Sequence, residues 1–180
     1  MKRITFLAFI AIISFFSVEA QNYLGTQKLK EGSLDFLKGV KKLNVVFDYT
    51  DLIINGKTEE YFTATREEKW KNNWDNDKIR FYERFVRNAN IESTKLLLGN
   101  FPDTEYMATV KVLRMIDESH IYVAEVKFTQ TNSTNILAVV SIDYKKHTVS
   151  TGWTLTRTIN KIMDIAGKQF GKLIVKQIKS

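Results

Sequence analysis

The stretch Tyr122-Val123-Ala124-Glu125-Val126-Lys127-Phe128 decides the fold class, because it carries the clearest period of two in the chain. Tyr122, Ala124, Val126 and Phe128 fall on one face of a strand, and Val123, Glu125 and Lys127 on the other. Upstream, Tyr106, Ala108, Val110 and Val112 alternate with Thr109 and Lys111 in the same way. Downstream, Asn132 to Asn135 makes a turn, and Ile136 to Tyr144 is a more continuously apolar strand. Short connections between the three predict an antiparallel meander.

On the C-terminal side the period changes to that of a helix, from about Arg157 to Lys176. Ile159, Ile162, Met163, Ala166, Phe170, Leu173 and Ile174 form a stripe at three- and four-residue steps. Gly167 and Gly171 lie one turn apart within it. Each costs helix stability, and close packing of the helix on the sheet is the expected compensation.

On the N-terminal side, Leu96 to Pro102 is a connector without clear form. Before it, Lys78 to Ala89 carries Ile79, Tyr82, Phe85, Val86 and Ala89 at helical spacing, with Arg80, Arg84 and Arg87 opposite. Glu59 to Asn73 is helical but more polar, with Thr58 as N-cap and Glu59 and Glu60 favourably placed in the first turn. Asn72 to Asp77 is expected to loosen or kink this region, giving one long broken helix or two in succession. Asn55-Gly56 marks a turn, and Val40 to Tyr49 has strand alternation, with Leu43, Val45, Phe47 and Tyr49 on one face. Residues 21–37 form a polar lead-in with little periodicity. The order strand, helix or helices, three strands, helix predicts an α+β two-layer sandwich, its helices covering one face of a mostly antiparallel sheet.

Residues 1–20 have the three parts of a cleavable secretory signal. Lys2 and Arg3 are the positive start, Ile4 to Phe16 the apolar run, and Val18-Glu19-Ala20 the cleavage site before Gln21. A membrane-spanning helix needs about 20 apolar residues, more than this run supplies. The remaining chain, about 160 residues, suits one domain over residues 21–180 with a substantial core. The absence of cysteine excludes disulfides, thiolate metal sites, a cysteine nucleophile and a lipidated cysteine. Removing Lys2, Arg3 and Glu19 lowers the formal net charge from +7 to +6. In an exported protein that balance points to an envelope protein or glycan rather than nucleic acid. The expected location is periplasmic or secreted.

Four segments resemble a group of uncharacterised exported proteins of Bacteroidetes. Phe36 to Tyr49 resembles their first strand, and Glu60 to Asn90 their charged, tryptophan-containing helical region. Gln130 to Ala138 resembles a turn between their later strands, and Ala166 to Ile174 is similar to their closing helix. The resemblance implies a sandwich like the small N-terminal domain of TolB and related envelope lipoprotein domains. It brings no activity or catalytic residues, and the missing lipidation cysteine departs from many of those relatives.

The search for chemistry yields little that is catalytic. His120 and His147 sit at strand ends, far in sequence from partners, and read as titrating surface groups. Ser119 beside His120 is not a triad, since strand neighbours point to opposite faces. No histidine pair has zinc spacing. Asp75 and Asp77 begin like a calcium loop, but no glycine or closing glutamate follows in register, so they read as a polar helix junction. Glu59 with Glu60, and Glu67 with Glu68, are consecutive helix residues rather than an acid–base pair across a cleft. No catalytic, metal or cofactor site is therefore expected. Aromatic residues offer the alternative. Trp70 and Trp74, four apart on one helix face, form either a platform for sugar rings or a partner's apolar patch, or part of the core. In the platform case Lys69, Lys71 and Arg80 supply polar contacts. Trp153, before the last helix, is either an exposed contact or a lid on that helix. The expected function is a non-catalytic envelope module working through protein or cell-wall contacts. The alternative is a soluble carrier of a small apolar or lipid-like ligand, which requires an internal cavity.

Overall fold

The computed structural model describes residues 23–116, 121–146 and 155–179. Its strands are β1 (Tyr23–Gly32), β2 (Lys42–Asp48), β3 (Ile53–Ile54), β4 (Lys57–Thr58), β5 (Leu97–Gly99), β6 (Tyr106–Ile116), β7 (Ile121–Gln130) and β8 (Ile136–Lys146). Its helices are α1 (Glu59–Ala64), α2 (Glu68–Glu92) and α3 (Leu155–Lys179). The strands form one sheet in the order β1-β8-β7-β6-β2-β5, with β3 added to β6 and β4 to β3. The fold is α+β, with the helices on one side of a mostly antiparallel sheet.

The predicted meander is present as β6, β7 and β8, and its cross-strand partners build the covered face. Val110, Val126 and Val140 form one row, continued on β1 by Leu29. Ala108, Phe128 and Ala138 form the next, and all of these except the half-buried Leu29 are buried. Direct partners on neighbouring strands share a face, so register alone assembles the apolar surface. The opposite face carries Lys111, Glu125, Ser141 and Lys28 in a single row.

Onto the covered face α3 lays its stripe, with Ile159, Ile162, Met163, Ala166, Phe170 and Ile174 buried. Phe170 stands between the layers, 5.2 Å from the Phe85 ring of α2 and 6.0 Å from Phe128 of β7. Burying one such ring contributes about 1.5–3 kcal/mol. The two glycines of α3 seat against a helix, contrary to the expected contact with the sheet. A Cβ on Gly167 would lie 2.2 Å from the Phe85 carbonyl oxygen, and one on Gly171 2.3 Å from that of Ala89. Polar links reinforce this helix pair on its outer side. Asp164 accepts from Arg84 at 2.6 Å and from Asn88 Nδ2 at 2.9 Å.

Three further expectations are corrected. The lead-in is largely strand: residues 23–32 pair antiparallel with β8, Gln27 opposite Ile142. Its alternation is hidden because the inward positions include Gln27 and Gly25. Gln27 Nε2 donates to the Ala166 carbonyl at 2.7 Å, and Tyr144 lies where a side chain on Gly25 would stand. The helix break falls between Ala64 and Glu68, not at Asn72 to Asp77. Thr65 Oγ1 donates to Phe62 O at 2.9 Å, and Arg66 N to Thr63 O at 3.1 Å, closing α1 with its own threonines. The connector contains β5, parallel to β2, and its Leu98 backbone is gripped on both sides by the Asn90 amide.

No helix among the described residues is long and apolar enough to cross a membrane.

Candidate functional site

β2 is parallel to both of its neighbours, β5 and β6. The chain leaving the carboxyl end of β2 makes a turn before β3 rejoins the same sheet beside β6, and the cleft opens at that turn. In this protein the departing chain is Tyr49 to Leu52, closed by Leu52 N donating to Tyr49 O at 3.0 Å. A two-residue turn then joins β3 to β4, with Asn55 at φ 51° and Gly56 at φ 79°, the left-handed geometry that favours this residue pair. Thr58 caps α1 as expected, its Oγ1 accepting from Tyr61 N at 3.3 Å. The Glu59 amide donates to Leu52 O at 3.2 Å and pins the helix start over the turn.

The resulting cleft has two adjoining lobes that share Phe47 and Tyr49. The polar lobe, about 940 Å³, is lined by Asp48, Asp51, Glu59 and Glu60 together with threonines. The apolar lobe, about 470 Å³, runs along β2 beneath Ile79 and Tyr82 of α2. Both are open to solvent. Phe47 anchors the wall between them, 5.9 Å from Tyr82 and 5.5 Å from Phe85 with near-perpendicular rings.

Most carboxylates of the cleft already have partners. Asp48 accepts from the Thr50 hydroxyl at 2.6 Å and the Thr50 amide at 2.9 Å, and those two bonds hold its pKa below the usual carboxylate value. Asp51 pairs with Lys111. Glu59 Oε1 accepts from Trp74 Nε1 and from Lys78 Nζ, each at 2.8 Å. Lys78 also meets Asp75 at 2.9 Å. Burial disfavours the Lys78 charge, but the hydrogen bonds to Glu59 and Asp75 outweigh it and raise its pKa above the ordinary lysine value. Tyr49 is different. Its hydroxyl is buried without a hydrogen-bond partner, and burial, then the nearby Tyr122 and Glu59, push its pKa well up. No group of three or more acidic or histidine side chains among the described residues is arranged to hold a metal ion.

The aromatic platform is not what the structure forms around Trp74. That residue is 3% exposed, packs edge-to-face on Phe81 at 6.0 Å, and satisfies its N–H with Glu59. A buried indole with a carboxylate on its one donor is a core residue and not a surface contact. Arg80 is exposed and pairs with Asp77 at 3.2 Å. Asp77 is buried and accepts from Thr156 Oγ1 at 2.8 Å, tying α2 to the start of α3; the Asp75–Asp77 pair is helical throughout. The side chains of Trp70 and Lys69, and Ser119, His120, His147 and Trp153 entirely, lie outside the described residues. Trp74 and Glu59, 15 residues apart, are brought together. The residues of the cleft were not singled out by sequence reasoning as one site, although Asp48-Tyr49-Thr50 has the spacing of an aspartate turn.

No family model and no curated protein matches this chain. Over 82% of its length it is similar to 98% of a solved PelC dodecamer subunit from Paraburkholderia phytofirmans, with TM-score 0.41 and 9% identity. A leucine-to-methionine variant of that PelC dodecamer has the same coverage, with TM-score 0.38 and 10% identity.

Proposed function

We propose that this protein is a non-catalytic exported module of the bacterial cell envelope that works by contact with another envelope component. The observation that carries the reading is the state of the cleft's ionisable groups. Asp48, Asp51, Glu59 and Asp75 each hold a neighbouring hydroxyl, amide, indole or ammonium. An acid–base pair instead needs carboxyl groups with pKa values pushed apart and facing a substrate across an enclosed pocket. An open cleft with fixed walls is suited to receiving a surface. Export itself rests on the N-terminal segment, whose charge and apolar run have the pattern of a cleaved signal.

The carrier reading asks for space between sheet and helices. That space holds the Phe85, Phe128 and Phe170 rings at contact separations, and the glycine seats bring α2 and α3 together beside them, which favours the contact reading. The test is retention of envelope components on the immobilised protein. One component held at fixed stoichiometry through a salt wash is expected. Retention of none, or release of a cleaved product from cell-wall material, refutes the reading.

A further inference from the structure

The lining of the cleft is at odds with the rest of the molecule. The chain carries a formal charge of +7, yet the polar lobe is lined by four carboxylates and no lysine or arginine. Lys111 and Lys78 reach two of these from outside that lining. Glu60 is exposed, and the Asp48 carboxylate accepts from the neutral Thr50 while Lys111 and Lys127 lie near enough to act on its charge. The adjoining lobe is mostly apolar and aromatic, with the Lys78–Asp75 ion pair and Asn100 also in its lining. Its rim holds Ile79, which is 55% exposed and lies one helical turn before Tyr82 on the same side of α2. Tyr49, common to both lobes, has the buried hydroxyl that lacks a partner.

We propose that this cleft is the docking site for a basic, apolar-flanked segment of a partner protein. Its lysine or arginine head sits among Asp48, Glu59 and Glu60, and the neighbouring apolar side chain lies against Ile79 and Tyr82. The assignment rests on the contact-module reading and names its partner chemistry. Charge complementarity selects a cation for the polar lobe. Aromatic walls add to that selection, since a cation is also attracted to a ring face, as Lys78 already is to Tyr49 at 5.6 Å. The adjoining lobes select a chain segment over a free amine. Residues two apart on an extended segment present side chains to the same surface about 7 Å apart, so one can enter each lobe. The openness of both lobes fits a segment laid across them, whereas small ligands are mostly enclosed.

The test is titration of the isotopically labelled protein, followed by amide shifts, with a capped peptide of alternating lysine and leucine. The controls are the same peptide with glutamate in place of lysine, and N-acetyl-lysine amide. Shifts centred on residues 48–52, 59–63 and 78–82 with the lysine peptide alone are expected. The double variant Glu60→Gln/Ile79→Ser alters two exposed side chains, so its melting temperature should stay at the wild-type value while affinity falls at least tenfold. Equal binding of the glutamate peptide, equal binding of lysine amide, shifts elsewhere, or unchanged affinity in the double variant overturns the assignment. Concentration-dependent self-association abolished by the double variant also overturns it, by making a second copy the occupant. If the cleft fails while the protein still retains an envelope component, the contact-module reading stands on other surfaces; if nothing is retained, that reading fails independently of the peptide result.

Discussion

Replacing Gly167 with alanine sets two effects of opposite sign against each other. Alanine is favoured over glycine in a helix interior by about 1 kcal/mol, so an isolated α3 would gain. In the folded protein the added Cβ would stand 2.2 Å from the Phe85 carbonyl oxygen, 2.9 Å from its carbon and 3.0 Å from its Cα. All three atoms are backbone of α2, so no rotamer change relieves the overlap. The helices must separate by about 1 Å, and a gap of that size forfeits roughly a quarter to a half of the dispersion well across the interface. Overpacking of this kind costs about 1–3 kcal/mol and sometimes more. With backbone on the other side the upper end applies, leaving a net loss of about 2 kcal/mol after the propensity gain. That corresponds to a fall in Tm of roughly 4–8 °C for a chain of this size. Urea unfolding followed by far-UV circular dichroism measures it directly, with Lys172→Ala on the exposed face of the same helix as the near-neutral control. A Gly167→Ala protein as stable as wild type, or more so, would show that propensity outweighs the seat and refute the close α2–α3 approach.

Three other outcomes are expected. Glu59→Gln weakens the Lys78 contact and the acceptor for Trp74 at one stroke, and should cost about 1–3 kcal/mol, read as a lower urea midpoint with altered tryptophan fluorescence. Asp164→Ala leaves Arg84, Arg87 and Asn88 without their shared carboxylate and should cost about 1 kcal/mol at low salt and less at 1 M, since the group is partly exposed; an equal loss at both salt concentrations would contradict the ion-pair account. Stability should also fall at alkaline pH, because burial raises the pKa of Tyr49, Tyr122 and Tyr144. The sign follows from the unfolded chain: below pH 10 both states keep these phenols protonated, and above it only the unfolded state releases the proton. Each tyrosine then removes about 1.4 kcal/mol per pH unit. Phenolate absorbance at 295 nm for these three residues should appear with unfolding and not before it.

How much could be read in advance follows from how far apart the determining residues lie. The strand at Tyr122–Phe128, the stripe of α3, the Asn55-Gly56 turn and the Thr58 cap were legible because each is written within one continuous stretch of chain. β1 was not, since Gln27 at a core-facing position makes sense only once the Ala166 carbonyl, 139 residues away, is beside it. The helix break was misplaced for a related reason. The asparagines and aspartates from Asn72 to Asp77 look like helix breakers, but Asp77 is held by Arg80 and Thr156 and the helix runs through. Trp74 was open between surface and core, because its partner Glu59 looked like an ordinary solvated first-turn residue.

The candidate cleft draws on β2, the turn after it, α1 and α2: the polar lobe is contained within Phe47 to Thr63, but the apolar lobe adds side chains as distant as Tyr82 and Asn100. By itself the sequence determined the α+β class, the meander, the closing helix and the absence of thiol chemistry, since periodicity and composition are local or global properties of the string. Tertiary structure alone decided which side of α3 the glycines seat against, that Trp74 is core, and that Tyr49 stands between the lobe lined by Asp48 and Glu59 and the lobe lined by Ile79. Each of those outcomes is set by contacts between residues distant in sequence, which leave no period in the chain to read.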